Sequence, residues 1–515
     1  MWYNFIKINF IKKYFNKNGT DIWNFEDEKR LIILNNRRNA MERFIGRADE
    51  LRKLNELYET EGFHMAVVYG RRRIGKSTLL TKFIQDKKAV YYVATKVGTQ
   101  RNVELLTKEV MSVIAPEMMN VSFHELEDLL SFMSTQITDE KIVFVIDEIP
   151  YWAEKDESVL SVFQKYADGA WTQKNMLFIL CGSALSFMED KVLSEKSPLF
   201  GRRTIQIRLE PFDYLESAEF VPHYSNEEKA VCYGITGGVA KYLSMLDEKK
   251  SLDENIVEQF FTKTGYLYDE TRNLLTQEFS DTAIVNNIIE QIASGENTLN
   301  IIADKIHEKE ATVLYSLNKL IGVGLVEKRH CITEEKNKKK TQYILKDQMF
   351  RFWYAFVPAA ASSVEMGKGD VYYRKIVKPQ IHNFMGKVFE EMCRYYTLRE
   401  GLDGRLNCFV TAVGTWWGTE ILEEDSGRKK IQSADVDIVG LAPSEKAMVV
   451  GECKFKNEKA GRDILETLVR RSRAIPSKYR TVQYLLFSLG GFTEWYENEA
   501  PGDVAVFGLD DLYKK

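Results

Sequence analysis

Residues 70–77 read G-R-R-R-I-G-K-S and match the phosphate-loop pattern G-x-x-x-x-G-K-[ST] without deviation. The preceding run H-M-A-V-V-Y (64–69) is typical of a buried parallel strand, and the following run T-L-L-T-K-F-I (78–84) is typical of a helix with one apolar face. Strand, glycine loop and helix are the context that the motif requires. The sequence therefore predicts a site in which backbone N–H groups and the positive end of a helix dipole hold the phosphates of ATP.

The residues of this loop have separate expected roles. Lys76 is expected to reach the terminal phosphates, and the Ser77 hydroxyl is expected to bind Mg²⁺. A glycine-rich turn without a ligand is the alternative, but the Lys-Ser pair and the flanking elements argue against it. The other residues expected to line the phosphates are Gly70, Arg71, Arg72, Arg73, Ile74, Gly75 and Thr78.

A pair of carboxylates follows a later apolar strand, K-I-V-F-V-I over residues 141–146. Asp147 is expected to bind Mg²⁺, mostly through water. Glu148 is expected to orient and polarise the water that attacks the γ-phosphate. A strand that ends in Asp-Glu is a weak signal by itself, but downstream of an intact phosphate loop it predicts ATP hydrolysis.

Two further residues are candidates for the phosphate chemistry. Ser183 ends the next predicted strand (176–183) and is placed to contact the γ-phosphate or the attacking water, with a simple strand cap as the alternative. Arg202 offers a guanidinium to the transferred phosphoryl group, either in cis or from a neighbouring subunit. Because arginines are mostly exposed, an ordinary surface role is the alternative for Arg202.

The pattern around these motifs predicts an α/β fold. Strands at 89–94 and 204–209 add to those above, with helical patterns between them. This alternation implies a doubly wound parallel sheet, whose strand C-termini share the edge at which ligands bind. We assign residues 41–225 to this ATPase core and the purely helical residues 226–280 to a lid.

A different pattern follows the lid. Three predicted helices and two short strands over residues 281–350 indicate a winged helix-turn-helix. The tip between its strands, K-N-K-K-K at 336–340, is basic, which suits contact with DNA phosphates. Winged helices also serve as protein adaptors, and a solvated turn in a packing domain is the alternative for the tip. Residues 351–374 are predicted to be a linker.

Residues 375–515 are predicted to form a second α/β unit with charged residues inside its strands. Glu452 and Lys454 point to one face of a strand, and Asp437 lies in the strand before it. Two carboxylates beside a lysine can hold a divalent ion and activate water for attack on a phosphodiester. An ordinary salt bridge on an edge strand is the alternative. The predicted metal ligands are Asp437, Glu452 and Glu390, with Glu391 as the alternative to Glu390.

The bulk composition narrows the class of protein. At 515 residues the chain is expected to form several domains. A net charge of −4 gives no global nucleic-acid signature, so any basic surface must be local. None of the six cysteines forms a C-x-x-C pair, which argues against a disulfide framework or zinc site and suits a reducing cytoplasm. A run of about 18 apolar residues, as a membrane helix needs, is absent from the sequence.

Residues 1–40 carry no clear period and are expected to be an N-terminal extension. Residues 37–41 read R-R-N-A-M, which a ribosome-binding sequence ahead of a start codon would encode. Either Met1 or Met41 is therefore the expected start, and in the second case the residues before it are a translated leader.

Together these residues resemble the archaeal-type P-loop ATPases of the STAND/AAA-like group, in the form with a C-terminal PD-(D/E)xK-like domain of unknown function. The resemblance runs from about residue 42 to the C-terminus. It rests on F-I-G-R-A-D-E-L (44–51), V-Y-G-R-R-R-I-G-K-S-T (68–78), V-I-D-E-I-P (145–150), G-S-A (182–184), F-G-R-R (200–203), L-E-P-F (209–212), G-G-V-A-K-Y-L (237–243) and Y-I-L-K-D-Q-M-F-R-F-W-Y (343–354).

The resemblance implies an additional-strand P-loop core, a helical lid, a winged helix and a nuclease-like domain. It also implies that Gly46 and Arg47 flank the nucleotide together with a G-G-x-P segment of the lid. Here Ala240 stands in place of that proline, so the contact of the lid with the base is expected to differ. The phosphate chemistry is unaffected by this departure.

The sequence thus predicts an ATP-hydrolysing switch coupled to a DNA-binding winged helix and a metal-dependent nuclease-like domain. Its expected ligands are ATP, Mg²⁺ and DNA, with a homo-oligomer as an option and no membrane partner. The alternative is a regulatory ATPase scaffold that binds protein partners and whose C-terminal domain does not cleave. A DNA-processing motor is disfavoured because the sequence has no second motor domain or helicase motif.

Overall fold

The computed structural model describes residues 44–514, except residues 335, 336, 338, 339 and 424–428. The predicted N-terminal extension over residues 1–40 lies outside the described part, as does the choice between Met1 and Met41. Three lysines of the predicted DNA-contacting tip also lie outside it: Lys336, Lys338 and Lys339.

The N-terminal part of the structure is built on a five-stranded parallel sheet. Its strands are β1 (Phe63–Tyr69), β2 (Ala89–Val93), β3 (Ile142–Asp147), β4 (Met176–Gly182) and β5 (Ile205–Arg208). The strand order is β2-β3-β4-β1-β5, which inserts β4 between the phosphate-loop strand and the Asp-Glu strand. Neighbouring strands run parallel, so the predicted doubly wound sheet is confirmed and the strand C-termini share one edge.

Apolar side chains on both faces explain why these strands are central. Every residue of β3 and β4 is buried, as expected for parallel strands covered by helices on both sides. On one face Phe144 packs against Trp171, and on the other Val145 belongs to a cluster with Leu80. The covering helices are α1 (Ala48–Glu59), α2 (Lys76–Phe83), α3 (Thr99–Ile114), α4 (Leu126–Gln136), α5 (Ile149–Ala153), α6 (Ser158–Asp168) and α7 (Leu185–Phe187).

Helices without strands follow the sheet, where the sequence predicted a lid. Asp213, Ser225 and Ser251 each begin a helix with a capping box, in which the side chain accepts the N–H of the residue three positions later. The helices are α8 (Tyr214–Ala218), α9 (Asn226–Thr236), α10 (Ala240–Leu243), α11 (Leu252–Phe260) and α12 (Glu270–Glu278).

Three helices and an antiparallel two-stranded ribbon come next. The helices are α13 (Thr282–Ala293), α14 (Leu299–Ile306) and α15 (Glu310–Gly322). The ribbon consists of β6 (Val326–Arg329) and β7 (Gln342–Leu345), in which Val326 pairs with Leu345. These five elements lie close to the bounds that the sequence pattern predicted.

Residues 351–374, predicted as a linker, belong instead to a buried helical segment. Helix α16 (Gln348–Glu365) continues through Pro358 and buries Phe352, Phe356 and Val357 among the lid helices. Burial of these side chains favours an ordered helix over an extended connection. A short helix, α17 (Gly369–Tyr372), follows it.

The C-terminal unit is a five-stranded mixed sheet with helices on both faces. Its strands are β8 (Ala412–Glu423), β9 (Lys429–Ala442), β10 (Ala447–Lys454), β11 (Arg480–Ser488) and β12 (Val504–Gly508). Their order is β12-β11-β10-β9-β8; β8, β9 and β10 pair antiparallel, whereas β10, β11 and β12 pair parallel. The helices are α18 (Ile381–Leu402), α19 (Arg462–Ser472), α20 (Trp495–Asn498) and α21 (Leu509–Leu512).

The C-terminal unit is packed onto the rest of the described chain. One apolar cluster runs from Tyr214 of α8 through α16 and α18 to Phe487 and Leu512. The hydroxyl of Tyr214 also donates to the carbonyl of Leu512 at 2.8 Å. Among the described residues, no helix combines the length and apolar character needed to cross a membrane.

Candidate functional site

The phosphate loop leaves β1 at Tyr69 and enters α2 at Lys76. Gly70 and Gly75 have φ values of 153° and 95°, which side-chain-bearing residues rarely adopt. A Cβ on Gly70 would also collide with the Leu209 carbonyl. Glycine is therefore required at both ends of the loop for the turn from strand to helix.

Lys76 lies over this loop. Its buried ammonium donates to the carbonyl oxygens of Gly70 at 2.9 Å and Arg71 at 3.0 Å. A phosphate is a stronger acceptor than these neutral carbonyls for a cationic donor. The position agrees with the role in phosphate contact that the motif predicts for Lys76.

Ser77 and Asp147 meet at the carboxyl edge of the sheet. The Ser77 hydroxyl donates to Asp147 Oδ2 at 2.7 Å, and the Glu148 N–H donates to Asp147 Oδ1 at 2.9 Å. Asp147 is almost fully buried. A hydroxyl and a carboxylate form the oxygen donor set that hard divalent cations prefer, so this pair fits a metal beside the loop.

The hydroxyl of Tyr91 on β2 is a third member of this cluster. It donates to Asp147 Oδ2 at 2.5 Å. Burial, with the nearby charge of Asp147, raises the pKa of Tyr91 well above its usual value. Sequence reasoning missed this residue; the available signal was a hydroxyl-bearing side chain in an otherwise apolar strand, A-V-Y-Y-V.

Glu148, predicted to orient the attacking water, lies next to Ser183, predicted to contact the γ-phosphate or that water. Glu148 Oε2 accepts hydrogen bonds from the Ser183 N–H at 3.1 Å and from its hydroxyl at 2.7 Å. In this conformation Ser183 therefore holds the Glu148 carboxylate.

Gly46 and Arg47 lie beneath the loop. Arg47 donates to the carbonyl oxygens of Ile74 at 3.2 Å and Glu210 at 2.6 Å, and its guanidinium lies 4.1 Å from the centre of the Phe212 ring. Arg47 thus supports the loop from within the protein. The expectation that this pair flanks a nucleotide remains a prediction.

The side chains of the three loop arginines pair with carboxylates from outside the core. The acidic partners come from both ends of α12 and from the residue before α16. The sequence had assigned these arginines to the phosphates, but in this arrangement their side chains are engaged by carboxylates instead. The pairs are Arg71–Asp347, Arg72–Glu278 and Arg73–Glu270.

The lid also contacts the loop through its backbone. The Lys241 N–H donates to the Arg73 carbonyl at 3.0 Å. A Cβ built on Gly75 would lie 3.5 Å from that of Ala240. The position at which this sequence lacks the expected proline therefore lies against the phosphate loop.

Arg202 is far from the position that a role in cis requires. It precedes β5, which runs parallel to β1, so it lies toward the edge of the sheet opposite the phosphate loop. There it forms an ion pair with Asp168 at 2.9 Å. In this conformation Arg202 therefore does not contact the phosphate loop, and both its role in cis and its role from a neighbouring subunit remain predictions.

The charged residues of the C-terminal sheet lie together, as the strand pattern predicted. Glu452 Oε1 accepts from Lys454 Nζ at 2.7 Å, and Asp437 Oδ2 accepts from the Cys453 N–H at 3.0 Å. Burial, followed by the charges of Glu390 and Glu452, raises the pKa of Asp437 to about 8. We refer to Glu390, Asp437, Glu452 and Lys454 as the C-terminal carboxylate site.

The predicted three-carboxylate metal cluster is not formed as such. Within the described ranges, no group of three or more His, Cys, Asp or Glu side chains is arranged to hold a metal ion. The reason is that Glu390 pairs with Lys387 at 2.9 Å and Arg394 at 3.6 Å, while Glu452 pairs with Lys454. The donors nonetheless fit a cation, because buried Glu452 Oε2 has no hydrogen-bond partner in the described part of the chain.

Other residues of α18 lie near Glu390. Glu391, the alternative ligand, accepts a hydrogen bond from Gln348, so Glu390 is the one that belongs to the carboxylate site. Arg394 donates to the Asp437 carbonyl at 3.1 Å. Sequence reasoning missed Lys387 and Arg394, although both lie within one helical turn of Glu390.

The ribbon lies close to Glu390 and Asp437 of the C-terminal carboxylate site. A cavity of about 390 Å³ separates them, lined on one side by Arg329 and Tyr343 and on the other by Glu390 and Asp437. Beyond β6, the Ile332 N–H donates to the Thr415 carbonyl of β8 at 3.2 Å.

Lys340, predicted to contact DNA, is held within the chain. Its ammonium pairs with Glu334 and donates to the Trp417 carbonyl at 3.1 Å. It is the one lysine of the predicted tip that the structure describes.

The inserted strand, the phosphate loop, the Ser77–Asp147 pair and Glu148 define a P-loop ATPase. Residues 44–246 match the family described as ATPase domains predominantly from Archaea. Residues 353–464 match a family of archaeal and bacterial proteins of unknown function. The chain is therefore an ATPase whose N-terminal part is similar to the archaeal ATPase domains and whose C-terminal part is similar to the second family.

Several known proteins are similar to this chain. The uncharacterized protein MJECL04 of Methanocaldococcus jannaschii is 28% identical over 473 residues, covering 91% of this chain and 100% of the relative. A Walker-type ATPase of Pyrococcus abyssi is 21% identical, with a TM-score of 0.45, covering 61% of this chain and 97% of that structure. The ORC2 protein of Aeropyrum pernix is 14% identical, with a TM-score of 0.43, covering 63% and 97%.

Proposed function

We propose that this ATPase is a switch in which ATP at the phosphate loop controls access to the C-terminal carboxylate site. Ser77 and Asp147 would hold Mg²⁺, which neutralises phosphate charge when bound. Lys76 would bind the terminal phosphates, and Glu148 would accept the proton of the attacking water. The observation that carries the proposal is the ion pair between Arg71 of the phosphate loop and Asp347.

This ion pair links the loop to the C-terminal unit by a short route. Asp347 caps α16 by accepting the Phe350 N–H at 3.1 Å. The adjacent Gln348 donates to Glu391 on α18, and Glu391 is next to Glu390 of the carboxylate site. A change at Arg71 would therefore reach the site through α16 and α18.

The burial of the ion pair gives the link its strength. The side chains of Arg71 and Asp347 are 10% and 0% exposed. Phosphate oxygens in the loop would compete with Asp347 for the Arg71 guanidinium. Because a buried carboxylate without its cation is costly, loss of the pair would favour movement of Asp347 and α16.

The C-terminal carboxylate site is the proposed output of the switch. Asp437 and Glu452 would hold a divalent ion, and Lys454 would stabilise the charge that develops on a phosphodiester. A cavity of about 390 Å³ suits a small ligand, since such pockets usually measure about 300–1,000 Å³. A nucleic acid would therefore need the ribbon to move away first.

A nuclease assay with and without ATP tests this proposal. Wild type with Mg²⁺ or Mn²⁺ is expected to cleave DNA or RNA faster with ATP than without it. Asp437→Ala should abolish cleavage and keep ATP hydrolysis, whereas Lys76→Ala should abolish hydrolysis and the ATP effect. Hydrolysis of ATP without cleavage of any nucleic acid would contradict the nuclease output and favour a scaffold.

The scaffold alternative has support of its own in α15. In a winged helix this helix would enter the major groove of DNA, yet its exposed face carries Glu310, Leu314 and Tyr315. Leu314 and Tyr315 are 38% and 62% exposed, and apolar exposure of this kind suits a protein partner. DNA affinity measured from low to moderate salt separates the two functions, because a steep loss of affinity is expected of phosphate contacts and a flat response favours the protein adaptor.

We further propose that Arg202 acts between subunits, if the protein assembles. Mixing inactive Lys76→Ala with inactive Arg202→Ala should restore part of the ATPase activity, because some interfaces then pair an intact loop with an intact arginine. Full activity of Arg202→Ala alone would contradict this role.

A further inference from the structure

We propose that Tyr91 is a positioning residue for the metal-binding carboxylate of the ATPase site. Its hydroxyl lies 2.5 Å from Asp147 Oδ2, the oxygen to which Ser77 also donates at 2.7 Å. A phenol is neutral at ordinary pH and donates to a carboxylate, so this is a charge-assisted hydrogen bond. Such bonds in the surroundings of a metal ligand fix its orientation.

The two hydroxyl donors to Asp147 come from different parts of the fold. Ser77 belongs to the phosphate loop and is expected to contact the metal itself. Tyr91 belongs to the neighbouring strand β2 and is packed in the cluster that contains Val145 and Leu80. Tyr91 therefore holds the carboxylate from the sheet, in a direction that does not depend on nucleotide in the loop.

The Asp147 carboxylate is fixed at both oxygens in this arrangement. The Glu148 N–H donates to Oδ1 at 2.9 Å while the two hydroxyls share Oδ2. Loss of the Tyr91 hydroxyl would leave Oδ2 with a single fixed donor and allow the carboxylate to rotate. We expect the consequence to be weaker metal binding, with little change in the binding of nucleotide that carries no metal.

Tyr92 provides a matched control on the same strand. Its hydroxyl donates to Asn102 Oδ1 at 2.6 Å, on the opposite face of the sheet. Tyr92 is 4% exposed and belongs to the other apolar cluster of the core. Tyr91→Phe and Tyr92→Phe each remove one hydrogen-bonded hydroxyl from the same strand, but only the first touches Asp147.

The test measures Mn²⁺ binding by electron paramagnetic resonance in the presence of ADP, together with the Mg²⁺ concentration that gives half-maximal ATP hydrolysis. Tyr91→Phe is expected to weaken Mn²⁺ binding about 10-fold or more and to raise the half-maximal Mg²⁺ concentration in parallel. Tyr92→Phe is expected to match wild type in both measurements.

Mn²⁺ affinity of Tyr91→Phe equal to that of wild type would overturn the proposal, as would an equal loss in Tyr92→Phe. Both measurements concern the ATPase site alone. They do not depend on the proposed switch. Even if the wild-type protein cleaves no nucleic acid, its metal binding and ATP hydrolysis still report on the Asp147 carboxylate. Each variant is expected to bind metal-free ADP as tightly as wild type, measured by equilibrium dialysis. A loss of ADP affinity as large as the loss of Mn²⁺ affinity would also overturn the metal-specific role.

Discussion

Glu148 has a left-handed backbone conformation, with a φ of 54°, directly after the last residue of β3. A residue with a side chain adopts this conformation at a cost of about 1–3 kcal/mol, and such strain concentrates at functional sites. Here it turns the carboxylate toward Ser183 at the end of β4. The backbone thus aims Glu148 across the sheet edge at which the phosphates are expected.

Glu148→Gln tests this assignment at the level of one residue. The amide keeps the size of the side chain but cannot accept the proton of water, so ATP hydrolysis is expected to fall about 100-fold or more. ATP affinity, measured by isothermal titration calorimetry, should stay near that of wild type. A variant that hydrolyses ATP at the wild-type rate would exclude Glu148 as the base.

Asp437 predicts a dependence of stability on pH. Its pKa is raised to about 8 by burial and by Glu390 and Glu452, whereas an unfolded chain has a value of about 3.9. The folded protein therefore holds the proton more tightly, and this contribution is full below about pH 4 and is lost as the pH rises through about 8. Asp437→Asn should flatten the fall in melting temperature between pH 5 and 8, measured calorimetrically in chelator. An unchanged slope would contradict the assignment.

The sequence predicts some of these residues better than others. Lys76, Ser77, Asp147 and Glu148 belong to motifs whose spacing carries their geometry. Tyr91 belongs to no such motif. The alternation of side chains along a strand assigns Tyr91 to one face of the sheet but does not say which neighbouring residue it contacts. The ion pairs of the loop arginines join residues that are far apart in the sequence, so no local sequence pattern predicts them.

At the scale of elements, helix α16 connects the phosphate loop to the C-terminal unit. The sequence pattern predicted the strands of the core within a few residues and a purely helical region over residues 226–280. It assigned α16 to a linker, because Pro358 normally interrupts a helix and the apolar run before it has no polar face. Packing against the lid decides that this segment is helical, and strand β12 was also missed.

A double-mutant cycle tests the contribution of the ion pair at the start of α16. Arg71→Met leaves a fully buried Asp347 carboxylate without its cation and is expected to cost about 3–5 kcal/mol of the free energy of unfolding. Asp347→Asn keeps a helix-capping side chain but leaves the Arg71 guanidinium without its carboxylate partner. The double variant should recover much of the loss, measured by urea unfolding with tryptophan fluorescence. Additive losses would show that the two side chains do not interact.

At the scale of the whole molecule, the segment that joins β6 to β7 packs against the C-terminal sheet. The ribbon docks on β8 through Ile332 and Lys340, and Cys331 is buried in the sheet cluster with Trp416. Strand β7 leads directly into Asp347, whose side chain pairs with Arg71 of the phosphate loop. In the proposed switch, nucleotide state and access to the site would be coupled through one continuous stretch, β7 followed by α16.

Hydrogen–deuterium exchange of β6 and β7 tests this coupling most directly. In Glu148→Gln, which should bind ATP without consuming it, saturating ATP is expected to increase exchange in the ribbon and at the start of α16 relative to ADP. Lys76→Ala, which should not bind the terminal phosphates, is expected to show no difference between the two nucleotides. Equal ribbon exchange with ATP and ADP bound to Glu148→Gln would contradict the switch.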